Sequence, residues 1–332
     1  MSQYRLLGLF ALALVPAAST LACTTEVAQD DGGEDALRQR QYQGRELPSK
    51  TLSFTFDDGP GDRTGELSKY LKEQGIPSVF FMMGKNAQGK DALLSQIVAD
   101  GHLIANHSWS HQQLTAIGNQ SVIDEVTKAD NVLSPFYSGN MYMFRAPYGA
   151  WNARVSTALN GTPQKRYVGS IFWDNGGDMT NGYTADWACW GSRYNYSAEK
   201  CGAGYMAEIA ARGRGVVLLH DIHSRTVDMV KWMVPQLKAQ GYKFVRTDVV
   251  PSINADLRAA GATPLPALPI TSNPASNECS RDAVLCGATI QRDPSTLYRC
   301  ENRRLHPVCT CRDVCRPQPV GTPDECTCNE GT

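Results

Sequence analysis

The chain between Lys50 and about Val250 alternates short, continuously apolar runs with longer stretches that carry one apolar face. Apolar runs of this length are typical of buried strands, and the longer stretches are typical of amphipathic helices. The predicted strands are residues 51–56, 78–82, 141–144, 167–172, 216–219 and 243–246, and the clearest predicted helices are 92–99 and 121–133. Alternation of this kind predicts a parallel α/β domain, as an open sheet or as a barrel.

The N-terminus has the pattern of an export signal. Arg5 precedes an apolar run over 6–18 that is too short to span a bilayer, so residues 1–22 are predicted to be a signal peptide. Leu21-Ala22-Cys23 resembles the end of a bacterial lipoprotein signal, although Thr20 stands where such signals usually carry Leu. We expect an exported protein attached to the membrane through a lipid on Cys23. Ordinary cleavage and secretion is the alternative.

Three further segments flank the predicted domain. Residues 23–49 are polar and are predicted to form a tether, and residues 251–278 form a Pro/Ala-rich linker. Residues 279–332 contain eight of the 11 cysteines and are predicted to form a small disulfide-rich module. Export and the presence of His306 as the only histidine there disfavour a zinc module. Its single aromatic residue, Tyr298, favours a stabilising or protein-contact role over sugar binding, and the partner is unknown.

The composition of the chain argues against two classes of protein. Lys and Arg number 32 against 33 Asp and Glu, a formal net charge of -1, and 42% of the residues are hydrophobic. This balance argues against a basic nucleic-acid binder and against a polytopic membrane protein. We therefore expect no nucleic-acid partner.

Two adjacent carboxylates follow the first predicted strand, in Ser53-Phe54-Thr55-Phe56-Asp57-Asp58-Gly59-Pro60. Because side chains alternate along a strand, Asp57 and Asp58 are expected to point in different directions. One of them can hold a metal while the other acts as a base. Taken alone, Asp-Asp-Gly-Pro is more typical of a plain turn than of a catalytic site.

Two histidines strengthen the metal hypothesis. His107 and His111 are four positions apart and share one face if the segment is helical. Together with an upstream Asp they form a ligand set that suits Zn²⁺ and leaves coordination positions open. A pair of structural histidines is the alternative.

Two more polar residues follow predicted strands. Arg145 comes directly after the strand at 141–144 and can orient a carboxylate through forked hydrogen bonds. His220 ends the strand at 216–219 and can act as a general acid. A surface arginine beside a turn and a structural histidine are the alternatives.

The order of these motifs resembles the polysaccharide deacetylase family, the NodB-homology domain of carbohydrate esterase family 4. The matching motifs are Thr55-Phe56-Asp57-Asp58-Gly59-Pro60, His107-Ser108-Trp109-Ser110-His111, Arg145-Ala146-Pro147-Tyr148, Asp186-Trp187 and Leu218-Leu219-His220-Asp221. The resemblance covers residues 50–250. It implies an α/β fold of the distorted (β/α) barrel type, followed here by the small Cys-rich module.

The resemblance implies roles for the first three motifs. Asp57 matches the general base, and Arg145 matches the residue that positions this base. Asp58, His107 and His111 match the ligands of a divalent metal. Zn²⁺ is the expected ion, with other divalent transition metals as alternatives.

It also implies roles for the remaining motifs. His220 matches the general acid, and Asp186 matches the carboxylate that tunes it. The backbone N–H of Tyr148 matches an oxyanion donor, and Trp187 and Leu218 match residues that line the acetyl pocket. Here a polar stretch separates Asp186 from the preceding acids, so Asp174 is the competing candidate. The same stretch carries Cys189 and Cys201, for which we predict a disulfide.

These matches predict a hydrolase that removes N-acetyl groups from chitin, chitin oligosaccharides or peptidoglycan. All six tryptophans lie between Trp109 and Trp232, inside the predicted catalytic region, where they can contact apolar sugar faces. The alternatives are an acetylxylan esterase and a catalytically inactive carbohydrate-binding relative. Because every catalytic position has a suitable residue, we favour the enzyme.

Overall fold

A computed structural model describes residues 37–266, 284–286, 296–301 and 304–310. Its strands are β1 (Leu37–Tyr42), β2 (Thr51–Asp57), β3 (Val79–Met82), β4 (Leu103–Asn106), β5 (Gly169–Ile171), β6 (Gly215–His220), β7 (Lys243–Phe244), β8 (Val284–Cys286), β9 (Thr296–Glu301) and β10 (Arg304–Thr310). Its α-helices are α1 (Thr64–Glu73), α2 (Gly84–Ala87), α3 (Asp91–Ala99), α4 (Asn119–Leu133), α5 (Ala153–Asn160), α6 (Asp186–Cys189), α7 (Ala198–Arg212), α8 (Ser224–Ala239) and α9 (Pro251–Ala259). Short 3₁₀ turns span Leu114–Ala116, Ser134–Phe136, Ser138–Asn140, Pro147–Gly149, Pro163–Arg166 and Thr247–Val249.

A five-stranded parallel sheet forms the centre of the domain. Its strand order is β4-β3-β2-β6, and β7 also pairs with β2. All residues of β2, β3, β4 and β6 are buried, as expected for a parallel sheet that is covered on both faces. The α/β class predicted from the sequence is therefore confirmed.

The sheet is extended by single parallel bridges that curve it toward a barrel. Bridges join Asn106 to Phe144, Met143 to Val168 and Asn175 to Val217. These bridges connect β4 to the segment that contains β5, and the residues after β5 to β6. The predicted strand at 141–144 takes part only through these bridges and forms no continuous ladder. Among the described residues of this domain, longer ladders run through the central sheet and through the β1–β5 pair.

Side chains of β3 alternate between two apolar layers, as the period of a strand requires. Phe80 and Met82 pack in a core with residues of α1, α3 and α4. Val79 and Phe81 pack on the opposite side, in a second core that includes Met143.

The folded domain extends beyond both predicted boundaries. Residues 37–49 do not form the predicted tether, because β1 pairs with β5 and because Tyr42 and Leu47 are buried. Arg and Gln dominate β1, so the sequence gives no apolar strand signal. The linker predicted to begin at 251 is also wrong at its start, since Ile253 and Leu257 of α9 are buried.

Proline explains the second error. Pro251 lies in the first turn of α9, where its missing N–H has no helical partner to lose. A proline at this position starts a helix, although in the sequence it is equally typical of a linker.

The C-terminal region contains an antiparallel sheet with the order β10-β9-β8. The sequence predicts disulfides in residues 279–332 without choosing their pairing, and most of this segment lies outside the described residues, as do the predicted signal peptide 1–22 and the lipidation site Cys23. Within the part of the chain that the structure describes, none of the helices combines the length and hydropathy needed to cross a bilayer.

Candidate active site

The predicted motifs meet at the carboxyl end of the central sheet. Asp57 and His220 end neighbouring strands and are paired in register. Met82 of β3 pairs with Asn106 of β4, so His107 follows at the same edge. The backbone N–H of Arg145 donates to the carbonyl of Asn106 at 3.1 Å, which brings a third motif to this edge. Parallel strands thus place residues from distant parts of the sequence in one site.

Asp58, His107 and His111 face one another at a candidate metal centre. Asp58 Oδ1 lies 3.3 Å from His107 Nε2 and 3.1 Å from His111 Nε2, and the three ligand atoms lie within 4.8 Å of one another. The Oδ1 atom is buried without a hydrogen-bond partner. His107 Nδ1 lies 2.8 Å from the carbonyl of Arg145, which directs Nε2 into the site. Two imidazoles, a carboxylate and an unsatisfied buried oxygen fit a divalent cation.

The two histidines do not lie on a helix. Ser108 and His111 both have left-handed backbone conformations, with φ of 63° and 64°. The expectation of a shared helical face is therefore wrong, although the two imidazoles still meet. A compact loop brings His111 back toward His107, with ring centroids 5.2 Å apart.

The electrostatics of the centre favour a cation. Burial raises the pKa of Asp58, but the adjacent imidazoles of His107 and His111 outweigh burial and hold this pKa well below its usual range. Burial lowers the pKa of His107, but Asp57 and Asp58 outweigh it and raise this pKa. Two carboxylates therefore generate a negative field where the ligand atoms converge.

Arg145 holds Asp57 in place beside this centre. The Arg145 side chain is fully buried, and its Nη1 donates to Asp57 Oδ1 at 2.6 Å and to Thr55 Oγ1 at 2.9 Å. Its Nε donates to the carbonyl of Ile171 at 2.8 Å. Burial lowers the pKa of Arg145, which shows how much the guanidinium depends on these partners. Asp57 Oδ2 lies 3.7 Å from His107 Nε2, so this oxygen faces the metal centre.

Asp186, rather than Asp174, contacts His220. Asp186 Oδ1 lies 2.7 Å from His220 Nδ1, and Asp186 Oδ2 accepts the backbone N–H of His220 at 2.7 Å. Asp174 instead accepts the backbone N–H groups of Gly44 and Val216 at 2.7 and 2.9 Å. Burial lowers the pKa of His220, but the charge of Asp186 outweighs burial and raises this pKa to about 9. His220 is therefore protonated at neutral pH, as a general acid must be.

The remaining predicted site residues surround this arrangement. Tyr148 lies in a turn with φ of 59°, is 67% exposed, and has its ring centroid 4.4 Å from that of His111. Trp187 is 53% exposed and donates its backbone N–H to Asp186 Oδ1 at 2.9 Å. Leu218 is buried in β6, two residues before His220.

Cys189 and Cys201 form a disulfide with Cα atoms 6.0 Å apart. It joins α6, which begins at Asp186, to α7. The disulfide therefore closes a loop that begins three residues after Asp186, the residue whose carboxylate contacts His220.

Three residues to which the sequence assigns no role support the site. Thr226 Oγ1 donates to Asp186 Oδ2 at 2.8 Å, and Tyr205 OH donates to Asp186 Oδ1 at 3.2 Å. Asp221 is buried, accepts a hydrogen bond from Thr64 Oγ1, and has a second oxygen without a partner. Burial raises the pKa of Asp221 to about 7. Thr226 and Tyr205 lie on helices far along the chain from Asp186, so no local pattern predicts their contact.

Comparison with known proteins shows that part of the chain is similar to a described family. Residues 44–165 match the family model described as "Polysaccharide deacetylase". The peptidoglycan-N-acetylglucosamine deacetylase PgdA of Listeria monocytogenes is 29% identical over 204 residues, which is 60% of this chain and 38% of that protein. Chitin deacetylase 3 of Cryptococcus neoformans is 31% identical over 58% of this chain and 46% of that protein. A chitooligosaccharide deacetylase of Sinorhizobium fredii is 36% identical over 37% of this chain and 57% of that protein.

Solved structures show that the fold is shared. The crystal structure of a peptidoglycan N-acetylglucosamine deacetylase has a TM-score of 0.51 at 22% identity, covering 63% of this chain and 91% of that chain. A CE4 family pseudoenzyme from Bacillus anthracis has a TM-score of 0.52 at 20% identity, covering 64% and 69%. Since an active and an inactive protein share this fold, the fold alone does not decide the activity.

Proposed function

We propose that this chain, a member of the polysaccharide deacetylase family, is a metal-dependent hydrolase that removes N-acetyl groups from an amino-sugar polymer or oligomer. One observation carries the proposal. Three residues that can hold a metal, a carboxylate held by a buried arginine, and a histidine paired with a buried carboxylate lie together at one sheet edge. These are the groups that amide hydrolysis requires.

Asp58, His107 and His111 hold the metal, and Zn²⁺ suits this ligand set. A bound divalent ion supplies Lewis acidity toward the acetyl carbonyl and lowers the pKa of water. Asp57 accepts the proton of the attacking water, and Arg145 fixes the orientation of its carboxylate. The backbone N–H of Tyr148 donates to the developing oxyanion.

His220 donates a proton to the departing amine. The contact with Asp186 keeps this imidazole charged and fixes its Nδ1 toward the carboxylate, so Nε2 carries the proton that is transferred. Trp187 and Leu218 line the pocket for the acetyl methyl group. A group that is protonated at neutral pH and oriented by a buried carboxylate is suited to this step.

The names of the relatives favour an amide-linked acetyl group. They describe enzymes that act on peptidoglycan N-acetylglucosamine, on chitin and on chitooligosaccharide. We therefore regard an acetylxylan esterase as the second hypothesis. An inactive carbohydrate-binding relative is the third, because every catalytic position of this chain is occupied by a suitable residue. The chain is exported in this account, through the signal at 1–22, and is anchored by a lipid on Cys23 or else secreted.

Acetate release tests the proposal. The chain from Thr24 onward is produced under oxidising conditions and incubated with chitin oligomers, peptidoglycan and acetylxylan, after chelation and after Zn²⁺ is restored. We expect release from an amino-sugar substrate that disappears on chelation and returns with Zn²⁺. Release from acetylxylan alone would move the protein to the esterase class. No release from any of the three by a folded, Zn²⁺-loaded protein would favour the inactive relative.

A further inference from the structure

We infer that Glu125 is a positioning residue of the metal centre, which fixes the loop from His107 to His111 so that both imidazoles face one cation. The inference rests on the metal centre of the proposed function. Glu125 belongs to α4 and touches no ligand atom itself. Its role is to hold the backbone that carries the ligands.

The carboxylate of Glu125 receives three hydrogen bonds from two consecutive loop residues. Glu125 Oε2 accepts the backbone N–H of Trp109 at 3.1 Å and that of Ser110 at 2.8 Å. Glu125 Oε1 accepts the hydroxyl of Ser110 at 2.6 Å. Hydrogen bonds to an ionised acceptor are stronger than those between neutral groups, and these are partly shielded from water.

The loop needs such support because its backbone is unfavourable. Ser108 and His111 have positive φ, a conformation that residues other than glycine adopt only when their surroundings enforce it. Four consecutive backbone N–H groups in this loop donate to side chains. Asn106 Oδ1 accepts that of Ser108 at 2.8 Å, and Ser108 Oγ accepts that of His111 at 3.2 Å. Glu125 accepts the two between them and is the only one of the three acceptors that lies far from its donors in the sequence.

The two ends of the loop are held differently. Gly84 and Lys85 of α2 donate their N–H groups to the carbonyls of Ser108 and Trp109 at 2.9 and 3.0 Å. The backbone N–H of His107 donates to the carbonyl of Met82 at 2.9 Å. Contacts of the central sheet and of α2 therefore hold the His107 end. The Ser110 end depends on Glu125, so loss of Glu125 is expected to displace His111 more than His107.

Helix α4 is anchored in the apolar core, which fixes the position of Glu125. Val122, Val126 and Ala129 are fully buried in the main apolar core. The neighbouring Asp124 is exposed and contacts Gln120 of the same helix. Asp124 therefore provides a matched control, with the same charge on the same helix but no contact with the loop.

Zn²⁺ affinity is the readout, measured by competition with a chromophoric chelator on the full chain from Thr24. Glu125→Ala is expected to weaken binding about 10- to 100-fold, the range found for groups that orient metal ligands. Asp124→Ala is expected to change it by less than about twofold. Glu125→Gln is expected to lose less than about tenfold, because its amide oxygen can still accept the two N–H groups while its amide nitrogen donates to the Ser110 hydroxyl.

A double-mutant cycle separates positioning from a general loss of structure. In a His111→Ala background, the additional Glu125→Ala change is expected to weaken Zn²⁺ binding by less than about threefold. Unchanged affinity in Glu125→Ala, or an equal loss in both backgrounds, would overturn the inference. If Glu125→Ala does not fold, the same comparison is made with Glu125→Gln, and a loss of the same size in both backgrounds overturns it. Tight Zn²⁺ binding by a wild-type protein that releases no acetate would defeat the proposed activity alone. A wild-type protein that binds no Zn²⁺ would defeat both proposals.

Discussion

Asp186 contacts His220 through both carboxylate oxygens, one on the imidazole Nδ1 and one on the backbone N–H, each at 2.7 Å. The double contact fixes both the position and the charge of the imidazole. Thr226 and Tyr205 complete the hydrogen bonding of the carboxylate, so the pair is held from two helices. Burial raises the pKa of Asp186, but His220 outweighs burial and lowers it, so the pair is ionic.

This pair predicts the alkaline limit of activity. The pKa of His220 is raised to about 9, so the acid is charged below this pH and activity falls as pH rises through it. In Asp186→Asn the compensating charge is lost, burial dominates, and the pKa of His220 falls. We expect the alkaline limb of the pH–rate profile to move down by at least about one pH unit. Asp178→Asn, in the loop that precedes α6, is the control, and an unmoved limb in Asp186→Asn would contradict the assignment.

Asp221 predicts a second, separate pH dependence. Burial raises its pKa to about 7, so the folded state keeps a proton that the unfolded state loses near pH 4. The contribution of Asp221 to the free energy of unfolding therefore decreases as pH rises from about 4 to about 7. Asn cannot ionise, so Asp221→Asn is expected to gain unfolding free energy relative to wild type, by up to about 1.4 kcal/mol per pH unit in that window. Denaturant unfolding at several pH values measures the difference, and a constant difference would rule out the buried neutral acid.

Replacing Arg145 by Lys is expected to impair the reaction even though the positive charge is kept. Lys in its place keeps a positive charge but loses the fork that reaches Asp57, Thr55 and the carbonyl of Ile171. We expect Arg145→Lys to lower kcat about 100-fold and to lower the midpoint of thermal unfolding. A surface change of the same type, Arg154→Lys, is the control. Near-normal kcat in Arg145→Lys would show that the orientation of Asp57 does not limit the reaction.

The disulfide between Cys189 and Cys201 predicts a moderate stabilisation. It closes a short loop with a sequence separation of 12, for which the chain-entropy account gives about 2–3 kcal/mol. Replacing both cysteines by Ala is the appropriate test, because a reductant would also act on any other disulfides in the chain. We expect a lower free energy of unfolding with the alkaline limb near pH 9 retained. Equal stability of the double variant and wild type would remove any role for this bond.

The sequence predicts those elements whose pattern is determined by burial. Strands β2, β3 and β6 read as continuous apolar runs because both of their faces are covered. Helices α3 and α4 have clear apolar faces. Strand β1 was not predicted because its sequence consists mainly of Arg and Gln, which give no apolar pattern, although its backbone pairs with β5.

The candidate site was predictable as a set of residues but not as a geometry. The spacing of His107 and His111 indicates a shared ligand role, yet two left-handed residues produce it instead of a helix. The choice of Asp186 over Asp174 depends on a contact between residues 34 positions apart. Glu125 belongs to no motif, and Asp221 ends the His220 motif without a role that the sequence assigns, because the contacts of both residues arise only from tertiary packing.

Asp57→Asn removes the proposed base and leaves the three metal ligands in place, so it separates the two roles. Asp57 contacts Arg145, whereas Asp58, His107 and His111 form the metal centre. Zn²⁺ affinity and acetate release from a chitin oligomer or from peptidoglycan are measured on the same preparation. We expect Zn²⁺ affinity within about threefold of wild type and at least about 100-fold slower acetate release. Acetate release near the wild-type rate from the Zn²⁺-loaded variant would contradict the account.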